Sequence, residues 1–220
     1  MEEEIRATRV EEGWREALLA IRQRGVQVTG SDGRSYVELA NLVLVVTDPA
    51  DDIGRPIEMM QEFGKWVYPR KEEIAQIITS RRDQSALEYL YGPRIFSYQR
   101  ALNQIDDFVL PLLRKDPTSR RGIVGIYDPV LDSRLENREA PSLLSLHFRV
   151  LQNAVHVTAL IRSNDMFIGW PANVYQVYDL LRFVAGGLGI RTGSLTTVSL
   201  SAHVYDEHAS EVGKVLSSGF

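Results

Sequence analysis

Arg162-Ser-Asn-Asp-Met-Phe-Ile-Gly-Trp-Pro-Ala-Asn173 joins two stretches of different periodicity. Before it, Val155-His-Val-Thr-Ala-Leu-Ile161 alternates and is rich in β-branched residues, the pattern of a half-buried strand. After it, Val174, Val177, Leu180, Leu181 and Val184 recur at helical spacing, with Asn173 as N-cap and Gly186-Gly187 as stop, which predicts a helix over Val174–Val184. A guanidinium, a hydroxyl, a carboxylate and two amides therefore collect between a strand end and a helix start. Backbone N–H groups are also open to an anion there. On residue types alone, the stretch reads equally as a polar loop in which Arg162 pairs with Asp165.

Composition bounds the rest. With 220 residues, 44% hydrophobic and 25% charged, the chain can bury one sizeable core, so residues 1–220 are expected to form a single domain. No run of about 18 apolar residues appears, and the Met-Glu-Glu-Glu start is acidic where a secretory leader is basic. A soluble, cytoplasmic protein with no membrane partner is expected. The net charge of −4 argues against nucleic acid polymers, so phosphate recognition would need local arginines. Zero cysteines exclude disulfides, cysteine–zinc sites and a thiol nucleophile. Asp48, Asp51 and Asp52 share a Pro/Gly-broken loop without histidines, which reads as a solvated turn, and no metal is expected.

Along the chain, Glu2 to Ile21 reads as a helix with Trp14, Leu18, Leu19 and Ile21 on its apolar side and Arg15 and Glu16 facing water. Val26 to Val37 suggests two strands across a Gly30-Ser-Asp-Gly33 turn, the second running on into the apolar Leu39–Val46. Ile57–Val67 looks helical, with Glu62 and Trp66 on one face, as does Lys71–Arg82. Gln104–Lys115 is a further short helix, followed by Asp116-Pro-Thr-Ser-Arg-Arg121 and a strand from Ile123 to Tyr127. Ser194–Tyr205 alternates as a strand, placing His203 and Tyr205 on one face, and Asp206 opens a last helix through Val215. Strands followed by helices point to an α/β class.

In order and spacing, Arg-Ser-x-Asp followed by Gly-x-Pro-x-Asn resembles the nucleotide-binding signature of the thymidylate synthase and pyrimidine hydroxymethylase family, especially its short archaeal-type members. Trp170 before the proline suits the short type. Asp116-Pro-Thr-Ser-Arg-Arg121, Tyr91-Gly92 and Ser201-Ala-His-Val-Tyr205 extend the resemblance. It implies an α+β fold with a large mixed sheet flanked by helices. Arg162 and Ser163 would hold the 5′-phosphate of a pyrimidine nucleoside monophosphate, joined across a homodimer interface by Arg120 and Arg121. Arg24 and Arg34, near the first hairpin, are further phosphate candidates, each equally readable as an exposed arginine. Asn173 and Asp165 would bind the base, and His203 and Tyr205 the sugar. Tyr91 would lie near the reacting base, with Glu62 as the catalytic glutamate. The cofactor implied is 5,10-methylenetetrahydrofolate. An amide at position 173 suits a uracil edge, whereas an aspartate would suit cytosine.

The chain departs from this pattern at Ala140-Pro-Ser-Leu-Leu-Ser145. Family enzymes carry Pro-Cys here, and the thiolate adds to C6 of the pyrimidine ring. Ser142 occupies that place, and a serine hydroxyl is a poor nucleophile unless a base activates it; His147 and His156 are the candidates. Losing a covalent step of this kind raises a barrier by on the order of 5 kcal/mol. Two function classes follow. One is a transferase moving a methyl or hydroxymethyl group to pyrimidine C5, or running a divergent reaction there. The other is an inactive or repurposed nucleotide-binding homologue. The chain also ends at Phe220, before the folate-closing tail of longer members.

Overall fold

The computed structural model describes residues 3–65, 67–81, 91–135 and 140–217. Trp66, Arg82 and Phe220 lie outside them. The spine of the fold is a fifteen-residue strand, β8 (Arg191–Tyr205). Its neighbours are β3 (Ser35–Val46), antiparallel, and β6 (Ala154–Ile161), parallel. The eight-stranded mixed sheet runs β1 (Glu3–Ala7), β3, β8, β6, β5 (Leu143–Leu151), β4 (Ile123–Gly125). Two further strands attach outside that path: β2 (Val26–Thr29) pairs with β3, and the two-residue β7 (Asn164–Asp165) pairs with β8.

One sheet face is apolar because alternate residues point to it. Leu42, Leu44 and Val46 of β3, Leu195 of β8, Val155, Val157, Ala159 and Ile161 of β6, and Leu146 and Phe148 of β5 are all buried. Two helices, α1 (Val10–Arg24) and α7 (Gly169–Leu188), pack on this layer, and their Trp14 and Trp170 are fully buried. The opposite row, with Val43, Ser145, His147, Thr158, Leu160, Thr196 and Val198, is half-exposed. Smaller helices cluster beyond: α2 (Arg55–Glu62), α3 (Lys71–Thr79), α4 (Tyr91–Phe96), α5 (Leu110–Lys115), α6 (Pro129–Asp132) and α8 (Ala209–Ser217).

Several expected boundaries move. Residues 3–7 are not helical: Glu4 and Arg6 are exposed while Ile5 and Ala7 are buried, and the segment pairs with Leu42–Val46 as a parallel edge strand. The period of two was hidden beneath helix-favouring glutamates, and strand pairing outweighs that weak preference. On α1, Arg15 is only 8% exposed, bonded to Glu11 and to the Val215 carbonyl, and Leu19 is exposed rather than buried. The helix beginning at α2 stops at Glu62, before Val67, and α3 stops at Thr79. Gln104–Lys115 divides into a π-helical turn (Gln104–Val109) and α5.

The largest shift is at α7, which starts at Gly169 and ends at Leu188, capped by Gly189 at φ 69°. Asn173 therefore lies inside the helix rather than capping it, because Pro171 is tolerated in the first turn. Gly186 and Gly187 remain helical, and the left-handed residue that terminates the helix comes two positions later. The acidic loop is not merely a solvated turn. Its Asp52 accepts the backbone N–H groups of Val10 and Glu11 at 2.7 and 2.9 Å, satisfying the start of α1 from 41 residues away. Among the described residues, no cluster of three or more metal-ligating side chains forms. Nor is any helix long and apolar enough to cross a membrane.

Asp52→Ala is expected to cost about 1–2 kcal/mol of stability in urea unfolding. Asp51→Ala, which removes an exposed pair with Arg9, should stay within about 0.5 kcal/mol.

Candidate functional site

The site begins where β6 gives way to β7 along β8. Ile161 pairs with Ser199 and Asn164 with Ala202, so Arg162 and Ser163 form a two-residue link between the registers. Arg162 is half-buried and holds that link through its backbone and part of its guanidinium. Its backbone N–H donates to the Ser142 carbonyl at 2.8 Å and its carbonyl accepts from Ser201 N–H at 3.2 Å. Its Nε and Nη2 donate to the carbonyls of Pro141 and Ala140 at 2.9 and 2.5 Å. The Pro141-Ser142 segment is thereby clamped beside the signature loop.

Asp165 does not spend its carboxylate on Arg162. Its Oδ1 accepts the N–H groups of Phe167 and Ile168 at 2.9 and 3.0 Å, turning the chain into α7. The loop is pinned on every side. Met166 N–H donates to the His203 carbonyl, the Met166 carbonyl accepts from Trp14 Nε1 at 2.6 Å, and the Ile168 carbonyl accepts from the Tyr68 hydroxyl at 2.7 Å. Burial pushes the Tyr68 phenol well up, so it remains a donor. Asn173, one turn into α7, donates through Nδ2 to Asn164 Oδ1 at 3.1 Å.

Tyr91 opens α4 and is 7% exposed. Its hydroxyl lies beside the Ser142 side chain and the Leu143 backbone. Burial pushes its pKa up, and Leu143 and Ser142, with the Arg162 charge nearby, only partly offset this. Tyr91, Ser142 and Arg162 thus form one contiguous group. Gly92 explains the Tyr-Gly pair: a Cβ there would overlap the Ser80 carbonyl oxygen, so only glycine lets α4 approach the end of α3. Arg94 anchors the same helix through a bidentate contact with Asp132 at 2.5 and 2.8 Å.

His203 and Tyr205 share a face at the end of β8, with ring centroids 5.2 Å apart. Tyr36 completes an aromatic group, 5.4 Å from His203 and 5.7 Å from Tyr205. The Arg34 guanidinium lies 3.6 Å from the Tyr205 ring centroid and bonds Glu207. Burial lowers the pKa of His203, against the opposing field of Asp165, and burial does the same to His208.

The remaining candidates are more scattered. Ser163 sits half-buried in the link beside Arg162. Arg120 and Arg121 are both exposed just before β4, with the Arg120 carbonyl 3.1 Å from His147 Nε2. Glu62 is the exposed last residue of α2, bonded to Arg55 at 2.9 Å. Arg24 is exposed at the end of α1. Neither histidine considered as a base for Ser142 is bonded to it. His147 faces the Arg120 carbonyl, and His156 Nδ1 accepts from Ser194 N–H at 3.0 Å. The sequence reading gave no role to Tyr36, Tyr68 or Ser199, and counted Asn164 only as a polar group of the loop. For Asn164 and Ser199, the general need of buried polar groups for partners is the one signal that points to them.

Residues 58–218 match the thymidylate synthase family. The chain belongs to that family. A protein of Methanosarcina acetivorans assigned as a thymidylate synthase is 34% identical over 92% of this chain and 89% of its own length. One from Methanococcoides burtonii with the same assignment is 30% identical over 96% of this chain and 94% of its own. The thymidylate synthase of Bacillus phage phi3T is 30% identical over 58% of this chain and 47% of its own length. The mixed sheet flanked by helices is the fold expected of the family.

Two outcomes follow from this geometry. Gly92→Ala should destabilise the protein by at least the roughly 1–3 kcal/mol of an overpacked core position, because the obstructing atom is backbone; thermal unfolding measures it. His203 and His208 have depressed folded-state pKa values, so the unfolded chain takes up protons first as pH falls below about 6.5. Their contribution is therefore intact above that value and is lost on acidification toward the folded-state values. The urea midpoint of wild type should drop more between pH 7.5 and 5.5 than that of a His203→Gln, His208→Gln double variant.

Proposed function

We propose that this chain binds a pyrimidine nucleoside 5′-monophosphate of the uridylate type and acts at C5 of its base, as a divergent transferase of its family. The observation that carries this reading is the convergence of Tyr91, Ser142 and Arg162 beside the loop that runs from Asp165 into α7. In it, Arg162 and Ser163 take the phosphate, Asn173 and Asp165 the base, and His203 and Tyr205 the sugar. Two of the five Arg162 N–H donors are committed to carbonyls, which leaves three for phosphate oxygens. Tyr91, Ser142 and Glu62 are assigned to the reaction.

A symmetric homodimer completes the site in this proposal. Arg120 and Arg121 are exposed beside the sheet-edge strand β4, which supports assigning them to a partner's phosphate in this reading. The half-exposed sheet face with Val43, Leu160 and Val198 gives the second copy an apolar surface to cover.

In this reading 5,10-methylenetetrahydrofolate, the family's usual cofactor, would lie against Gly169. Gly169 leaves bare backbone between Asp165 and Asn173, where an added Cβ would lie 3.5 Å from Asp165 Cβ and 4.0 Å from Asn173 Nδ2. When bound, this cofactor supplies the one-carbon unit. The protein's part is to hold the base, exclude water and stabilise charge as it develops. Tyr91 and Arg162 stabilise negative charge at the Ser142 position, yet neither is a base that would activate a hydroxyl. That observation favours a second reading, a nucleotide-binding protein that has given up the covalent step.

Ser142→Cys separates the two. Exchange of the nucleotide's C5 hydrogen with solvent needs addition at C6 but no folate. The cysteine variant should exchange about a thousandfold faster than wild type, since the Arg162 field favours a thiolate. Appreciable exchange by wild type supports the enzyme, and exchange by the variant alone supports the binding protein. No exchange in either, despite nucleotide binding, removes Ser142 from the nucleophile position.

For the shared phosphate site, Arg120→Ala with Arg121→Ala should weaken nucleotide binding at least tenfold and leave nucleoside binding nearly unchanged in calorimetric titrations. Equal losses for both ligands, or full affinity in a verified monomer, would overturn that arrangement.

A further inference from the structure

Behind Asn173 lies a buried polar chain that the motif does not contain. Asn164 is 0% exposed and Ser199 1% exposed. Asn164 Nδ2 donates to Ser199 Oγ at 2.9 Å, and Asn164 Oδ1 accepts from Asn173 Nδ2 at 3.1 Å. Ser199 is an inward-facing residue of the central strand, paired with Leu42 on one side and Ile161 on the other. Both amide ends of Asn164 are therefore tied to rigid elements, β8 below and the first turn of α7 above.

An amide side chain is nearly symmetric in shape and antisymmetric in chemistry. Turning Asn173 by 180° exchanges its oxygen and nitrogen at almost no steric cost, so packing alone does not choose between the two orientations. Hydrogen-bond partners choose. Uracil presents an N3–H donor beside an O4 acceptor, and cytosine presents an N3 acceptor beside an N4 amino donor. The two edges are opposites. A single amide in a fixed orientation matches one and leaves two mismatched groups against the other, a penalty that a site built around hydrogen bonds makes large.

Resting on the nucleotide reading above, we propose that Asn164, anchored by Ser199, is the positioning residue that fixes the Asn173 amide and thereby sets the preference for a uracil over a cytosine edge. The Asn164 carbonyl only accepts, so it holds Asn173 Nδ2 toward itself and assigns the Asn173 oxygen to the remaining position. A leucine would fill the same space without choosing an orientation. The buried amide carries its desolvation cost in exchange for that choice.

The test titrates uridylate, cytidylate and base-free ribose 5-phosphate into wild type, Asn164→Leu and Ser199→Ala, each checked for folding by its thermal transition. Wild type should prefer uridylate. Asn164→Leu should lower the uridylate-to-cytidylate affinity ratio about tenfold, the equivalent of one hydrogen bond, with ribose 5-phosphate affinity held within about twofold. Ser199→Ala keeps both amides but removes the anchor, and should lower the ratio part of the way. It decides the matter if Asn164→Leu does not fold. An unchanged ratio in the variants that bind overturns the proposal. So does a loss matched by an equal loss of ribose 5-phosphate affinity, which marks a merely structural role. Failure of wild type to bind either nucleotide is a different result: it overturns the nucleotide reading, and this proposal falls with it.

Discussion

Arg162 holds together backbone from three parts of the chain. Its own peptide bridges Ser142 and Ser201, and its guanidinium takes the carbonyls of Ala140 and Pro141. These groups lie at the point where β6 leaves β8 and β7 takes its place, so the ladder would otherwise leave carbonyls without donors in a half-buried position. A charged donor is well suited to that position, since each charge-assisted bond is worth roughly twice a neutral one. Because Ser142 lies beside Tyr91, the same clamp that closes the strand junction also sets the position of Ser142 against that phenol. Fold and site share one side chain.

The loop that follows shows the cost of placing polar backbone against a core. Phe167 and Met166 are fully buried. A buried loop is tolerated only if its N–H and C=O groups find partners, and here each partner comes from a different element: Trp14 from α1, Tyr68 from the segment before α3, His203 from β8 and Asp165 from the loop itself. Such cross-linking makes the loop rigid before any ligand arrives. Rigidity matters for recognition, because binding loses less affinity to ordering when the receptor is already ordered.

How much of this could be read from the sequence depended on whether the cause was local. The first hairpin was legible because Gly30-Ser-Asp-Gly33 specifies its own turn, with Gly33 at φ 81°. The β6 strand was legible because alternation is a property of neighbours. The start of α7 was not, since Asp165 reaching forward to Phe167 and Ile168 competes with Asn173 as a cap, and both are good cap residues. Residues 3–7 were misread because their strand character exists only against Leu42–Val46, some forty residues away. Arg15 looked solvated by type, and is buried because Val215 supplies a carbonyl 200 residues later. In the candidate site, the motif-bearing residues stand out by order and spacing, whereas Asn164, Ser199 and Tyr36 act through partners on other elements and leave no periodic trace.

These roles also decide which residues carry information about chemistry. Arg162, Asp165 and Gly92 each have a duty to the fold, so their presence would persist in a protein that had abandoned its reaction. Arg120 and Arg121 have no comparable duty, being exposed on a turn before an edge strand. The Tyr91 hydroxyl falls between. Burial keeps it protonated and therefore a donor, and a donor paired with a guanidinium makes a setting for an anion. A serine placed in that setting accepts the stabilisation but supplies no charge at neutral pH, because among the described residues no base is bonded to it. The field around Ser142 is thus matched to a group more acidic than serine. A weak acid in an environment suited to an anion, with two exposed arginines just before the edge strand in sequence, is the arrangement on which the two readings of this chain turn.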